Sequence, residues 1–116
     1  MEDVDKLNGH IIIEVIEYVP HSVVSKTIIK KSAGSITVSS LDVGAELAEK
    51  VSPFDNYIQI IDGSAEVIIN EKKHWLKLGD GIIIPANASQ CYNAKEKFKM
   101  ICTIIKPHTD ATDWIK

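Results

Sequence analysis

The sequence predicts an all-β protein, an antiparallel sandwich or barrel, and three observations carry that reading. Ile and Val dominate the apolar residues, and their branched side chains fit a pleated sheet but lose freedom in a helix. Short apolar stretches recur about every eight to twelve residues, the spacing of strands in sandwiches and barrels. Between them lie "KKSAG", "NEKK", "GDG", "PANA" and "AKEK", rich in residues that tolerate turn geometry.

Taken in order, "HIIIEVIEYV" (10–19) is the least committed element. Its β-branched residues favour a strand, whereas Ile12, Ile16 and Val19 would share one helix face before Pro20. We expect an irregular or strand-like edge segment there. Strands are expected at "SVVSKTII" (22–29), "GSITVSSLD" (34–42), "NYIQIID" (56–62), "SAEVIIN" (64–70), "HWLKL" (74–78), "GIIIP" (81–85), "SQCYNA" (89–94) and "FKMICTIIK" (98–106). Asp62-Gly63, between two alternating runs, reads as the clearest hairpin turn. After Pro107 the chain turns polar, which predicts a short helical turn or a frayed tail over 107–116.

No repeat, low-complexity stretch or linker divides the sequence. The expectation is one domain over 1–116, with a barrel at about 22–106, an N-terminal edge segment at 1–21 and a tail at 107–116. Net charge is −3 with scattered lysines, so the basic footprint of a nucleic-acid binder is missing. No apolar run approaches the roughly 18 residues of a membrane span. "MEDVDKLNGH" does not read as a signal peptide, and Cys91 and Cys102 lack metal-ligand spacing. Both cysteines are expected as free thiols in a cytoplasmic protein.

Residues 44–94 carry two spaced motifs. Gly44 and Gly63 bracket Lys50, Ser52 and Asn56; Gly79 and Pro85 precede Asn87, Gln90 and Ala94. In this spacing the chain resembles the small single-domain cupins (cupin type-2 conserved barrel), over roughly residues 22–106. The family's first motif runs Gly, five residues, His, one, His, three or four, Glu, six, Gly. Its second runs Gly, five residues, Pro, one, Gly, two, His, three, Asn. The resemblance implies an antiparallel double-stranded β-helix, the jelly-roll barrel. It also implies a metal site, yet its ligand positions hold Lys50, Ser52, Asn56 and Gln90. An ammonium repels a cation, and neutral oxygen donors bind transition metals weakly without a companion carboxylate. No metal or other cofactor is therefore expected. His74 follows the "NEKK" turn, outside the barrel mouth on the family pattern; His10, His21 and His108 lie in terminal or loop stretches.

Alternation says what replaces the metal. Asn56, Ile58 and Ile60 share one strand face; Gln90 and Tyr92 share another, with Cys91 turned away; Lys50 and Ser52 lie two apart. The candidate ligand-binding cluster is Lys50, Ser52, Asn56, Gln90 and Tyr92 over an aliphatic floor, suited to a small anionic or carbonyl-bearing metabolite. In the competing reading Lys50 is solvated and the amides and hydroxyl satisfy one another. No catalytic residue is assigned: a reactive lysine needs burial or a neighbouring cation, and Glu46 and Glu49 act the other way. The cysteines read as small packed hydrophobes. The function expected is metal-independent binding of a small molecule, as a sensor or accessory protein. The alternatives are a cupin-fold enzyme, either isomerase- or epimerase-like or metal-dependent through unusual ligands, and a structural dimer without ligand. The apolar runs "HIIIEVIEYV" and "MICTIIK" predict a homodimer, and neither nucleic acid nor membrane is expected as a partner.

Overall fold

The computed structural model of the chain describes residues 7–107. Nine strands follow a single 3-10 turn at Ile12–Glu14: β1 (Val23–Lys31), β2 (Gly34–Leu41), β3 (Glu46–Val51), β4 (Asp55–Gly63), β5 (Ala65–Ile69), β6 (Lys72–Leu76), β7 (Gly81–Ile84), β8 (Ser89–Asn93) and β9 (Phe98–Ile105). They form a five-stranded sheet in the order β1-β2-β9-β4-β7 and a four-stranded sheet in the order β3-β8-β5-β6. All pairings are antiparallel. No helix among the described residues is long and apolar enough to cross a membrane.

The two sheets enclose one core. Ile58, Ile60 and Ile84 come from β4 and β7, Phe98 and Met100 from β9, and Val67 and Tyr92 from β5 and β8; none is more than 2% exposed. Burying an aliphatic or aromatic side chain of this size contributes about 1.5–3 kcal/mol, so this layer holds the sheets together. Alternation along β4 is as expected: Asn56, Ile58 and Ile60 point inward, while Tyr57 is 41% exposed on the far face. The motif glycines have a backbone reason as well. Gly44, Gly63 and Gly79 all take positive φ, at 85°, 70° and 88°. A Cβ on Gly63 would lie 2.1 Å from the Lys97 carbonyl oxygen, so only glycine fits there.

Three expectations need correction, and a fourth, the irregular or strand-like segment 10–19, resolves to its irregular alternative. Asp62-Gly63 is not a hairpin turn. Both residues belong to β4 and pair with Lys99 and Phe98 of β9, and the chain then leaves for the other sheet. An unexpected strand, β3, lies at Glu46–Val51; its Glu, Ala and Lys are poor strand formers, and its pairing with β8 overrides that preference. The strand placed at 74–78 instead spans Lys72–Leu76, because Asn70 and Glu71 both take positive φ and close a two-residue turn that pairs Lys72 with Ile69. Segment 10–19 contains the 3-10 turn and no strand. Of the tail at 107–116, all but Pro107 lies outside the described residues.

The N-terminal segment is fastened to the outer face of the larger sheet. Ile16 is buried, and the Tyr18 hydroxyl donates to Asp62 Oδ2 at 2.6 Å. The Lys97 and Lys99 ammonium groups each stand 4.9 Å from the Tyr18 ring. Lys99 also donates to the Ile13 carbonyl at 2.5 Å, and Ser40 to that of Glu17 at 2.8 Å. The opposite end of the barrel interior is left open.

Candidate ligand site at the barrel mouth

A cavity of about 400 Å³ opens between the sheets above the apolar core. Lys50, Ser52, Asn56, Gln90 and Tyr92 all line it. From the larger sheet come Ser25, Thr37 and Ser39 on β1 and β2, with Met100, Cys102 and Ile104 on β9; Leu47 and Val51 complete the wall on β3.

Lys50 reaches this wall because β3 is irregular. Leu47 stands opposite Tyr92 and Lys50 opposite Gln90, so three residues of β3 advance against two of β8. The extra residue is a β-bulge, and it lets Leu47 and Lys50 face the same way although strict alternation would separate them. Lys50 remains exposed at the rim. Ser52 lies beyond it, accepting the Phe54 amide at 3.2 Å on its hydroxyl and the Asn87 amide at 2.7 Å on its carbonyl. Asn87, at a motif glycine position, has φ of 70°, a conformation Asn tolerates better than other side chains.

Deeper in, the Tyr92 hydroxyl donates to Gln90 Oε1 at 2.5 Å, and both side chains are buried. Burial raises the Tyr92 pKa, with Cys102 and Cys91 adding to the effect, so the phenol stays neutral. Cys102 is pushed up to about 12 by loss of solvation, while the Lys50 ammonium pulls the other way; the charge at the rim is therefore felt at the wall. Cys91 sits on the other side of β8 and does not line the cavity. Asn56 is 7% exposed, and no protein group among the described residues donates to its Oδ1. Ser25 and Ser39 share a hydrogen bond at 2.8 Å.

A transition metal does not fit this donor set. Its polar members are an ammonium, neutral amides and hydroxyls, and a thiol held far from ionisation. Among the described residues no three His, Cys, Asp or Glu side chains cluster. His74 lies half-buried on β6, away from the mouth; the His21 Nδ1 is 3.1 Å from the Val43 carbonyl oxygen in a loop, and His10 is exposed. His108 lies outside the described residues.

Sequence reasoning missed Ser25, Thr37, Ser39 and the cavity position of Cys102. The signal was present in "GSITVSSLD", where Ser35, Thr37 and Ser39 alternate with Ile36 and Val38. A period of two identifies two faces without saying which one is interior.

No protein-family profile matches the sequence, and no curated protein does. Solved structures do. A conserved protein of unknown function from Streptococcus pyogenes superposes with a TM-score of 0.86 at 26% identity, over 93% of this chain and 95% of that one. A cupin 2 conserved barrel domain protein from Leptotrichia buccalis gives 0.79 at 29% identity, over 81% of this chain and 46% of that one. A cupin superfamily protein from Desulfitobacterium hafniense gives 0.84 at 20% identity, over 91% and 97%.

Proposed function

We propose that this chain, a small cupin, holds a small anionic or carbonyl-bearing molecule at its barrel mouth without a metal, as a sensor or accessory protein. One observation carries the reading. Among the described residues, Lys50 is the only charged side chain lining a cavity whose other walls are neutral. An ammonium at the rim of a mostly apolar hollow attracts an anion and costs little to leave solvated when the site is empty. Inside, Gln90 Oε1 is engaged by Tyr92, so what Gln90 offers a ligand is its amide nitrogen. Ser52 still has a hydroxyl proton to donate. Leu47, Val51, Met100 and Ile104 supply apolar contact. A binding role is favoured over catalysis because, among the described residues, no carboxylate or imidazole lines the cavity for proton transfer, and the thiol of Cys102 there is pushed up to about 12.

Calorimetric titration of small carboxylates and ketones in the presence of a chelator tests this. A charge-assisted hydrogen bond contributes about 1.5–3 kcal/mol, so Lys50→Ala and Lys50→Met should each weaken an anionic ligand roughly tenfold to a hundredfold. The fold should be unchanged, since the side chain is exposed. Binding that is indifferent to both substitutions, or that vanishes in chelator, overturns the proposal.

The same chain is proposed to form a homodimer. Tyr57, Ile83, Thr103 and Ile105 surround a hollow of about 300 Å³ on the outer face of the larger sheet, and Ile83 and Ile105 are 66% and 64% exposed. An apolar sheet face of this kind is normally covered. Light scattering at micromolar concentration should give twice the chain mass; the mass of a single chain refutes it.

A further inference from the structure

We infer that the molecule taken by the cavity is a small hydroxycarboxylate, carrying hydroxyl groups along a short chain as well as its negative charge. This rests on the preceding proposal that the cavity binds an anion, and it adds a demand that an anion alone does not meet.

The demand comes from Asn56. Its side chain faces inward with Ile58 and Ile60, is 7% exposed, and its Oδ1 has no donor among the described protein groups. A buried carbonyl oxygen without a donor is costly, and such groups are rare in folded proteins. A carboxylate or a ketone brings acceptors only. It can satisfy the Lys50 ammonium and the Gln90 amide nitrogen, but it leaves Asn56 Oδ1 as it was. A hydroxyl group supplies the missing proton.

The wall across the mouth agrees. Ser25, Thr37 and Ser39 place three hydroxyls on β1 and β2, and the Ser25–Ser39 hydrogen bond uses only one of that pair's two protons. Groups that both donate and accept suit a ligand that does the same. The volume sets the scale: about 400 Å³ corresponds to roughly thirteen water volumes of ~30 Å³ each, room for a short hydroxylated carbon chain and its carboxylate. Charge at Lys50, a proton acceptor at Asn56 and hydroxyls opposite thus specify a molecule with a carboxylate at one end and hydroxyls along its length.

The test is calorimetric titration of the full chain, in chelator, with matched probes. Gluconate and glycerate carry both features, hexanoate and propionate lack the hydroxyls, and glucose lacks the charge. The expected result is that a hydroxycarboxylate binds about tenfold or more tightly than its hydroxyl-free partner and than glucose. Asn56→Leu should bring each pair within about threefold while circular dichroism stays that of a β protein. The comparison within each pair uses the unaltered protein, so it decides even where the variant fails to fold. Equal binding of gluconate and hexanoate, and of glycerate and propionate, overturns the hydroxyl requirement and leaves the anion reading standing. Glucose binding as tightly as gluconate overturns the anion reading. No heat with any probe at millimolar concentration overturns both.

Discussion

The mouth and the floor of the barrel interior are built from the same strands and obey different rules. On β4, Ile58 and Ile60 lie below Asn56 on one face, and the two isoleucines are sealed at 0% and 1% exposure. Asn56 is almost as buried, yet its Oδ1 has no protein donor among the described residues. β9 repeats the gradient, with Phe98 and Met100 deep in the core and Cys102 at the cavity wall. The floor is packed for stability. The mouth retains a buried polar group that stability alone would remove. A substitution should therefore act with opposite sign at the two levels, and that is the way to break the comparison.

The largest effect belongs to the floor. Ile58→Ala deletes buried methyl groups from a core with little freedom to collapse, and should cost about 2–5 kcal/mol, read as a fall in the denaturant midpoint. At the mouth, Asn56→Leu exchanges a buried amide whose oxygen has no donor among the described residues for a hydrocarbon of similar size. It should stabilise the ligand-free protein by about 1–3 kcal/mol, the usual penalty of a buried group without a partner. If Asn56→Leu destabilises as Ile58→Ala does, the two levels are one core and the distinction is wrong.

Alkaline pH sharpens the contrast from another side. Cys102 has an ordinary value of 9.0 and is pushed up to about 12 in the folded chain, so the unfolded chain releases this proton first. Native protein then holds more protons than unfolded protein, and stability must fall as pH rises from about 9 toward 12. Cys102→Ala removes that contribution and should recover about 1 kcal/mol at pH 10, measured by chemical denaturation across pH. The smallest effect lies in the frame itself. Asn87→Gly restores the motif glycine at a position with φ of 70° and should be close to neutral, whereas Asn87→Ala should cost up to about 1 kcal/mol.

The frame was more legible in the sequence than the site. Gly44, Gly63 and Gly79 mark positions where the backbone must turn left-handed, a requirement that local chemistry alone can meet, so their spacing announces the barrel. The Asp62-Gly63 dipeptide misled for the opposite reason. Its local preference for a hairpin is real, but pairing with Lys99 and Phe98, distant in sequence, decides its place. β3 stayed hidden because its residues lack strand preference and only β8 makes it a strand. In the site, alternation correctly grouped Gln90 with Tyr92 and Asn56 with the isoleucines. It could not foresee the bulge that turns Lys50 toward the cavity, nor that the polar face of β2 looks inward, since both depend on partners in the fold.

The position of β9 has a consequence for how the protein comes into being. It runs between β2 and β4 at the centre of the larger sheet, so the sheet has no middle until Phe98–Ile105 is in place. β2 and β4 form much earlier in the chain and do not pair with each other. On a ribosome they must wait for β9 to emerge, and the barrel closes late and cooperatively around it. Such a topology folds on the slow, millisecond-to-second scale of proteins dominated by distant strand pairings. During that wait, the edges of β2 and β4 that β9 will pair stand open to strands of neighbouring chains, so the interval before β9 arrives is prone to aggregation.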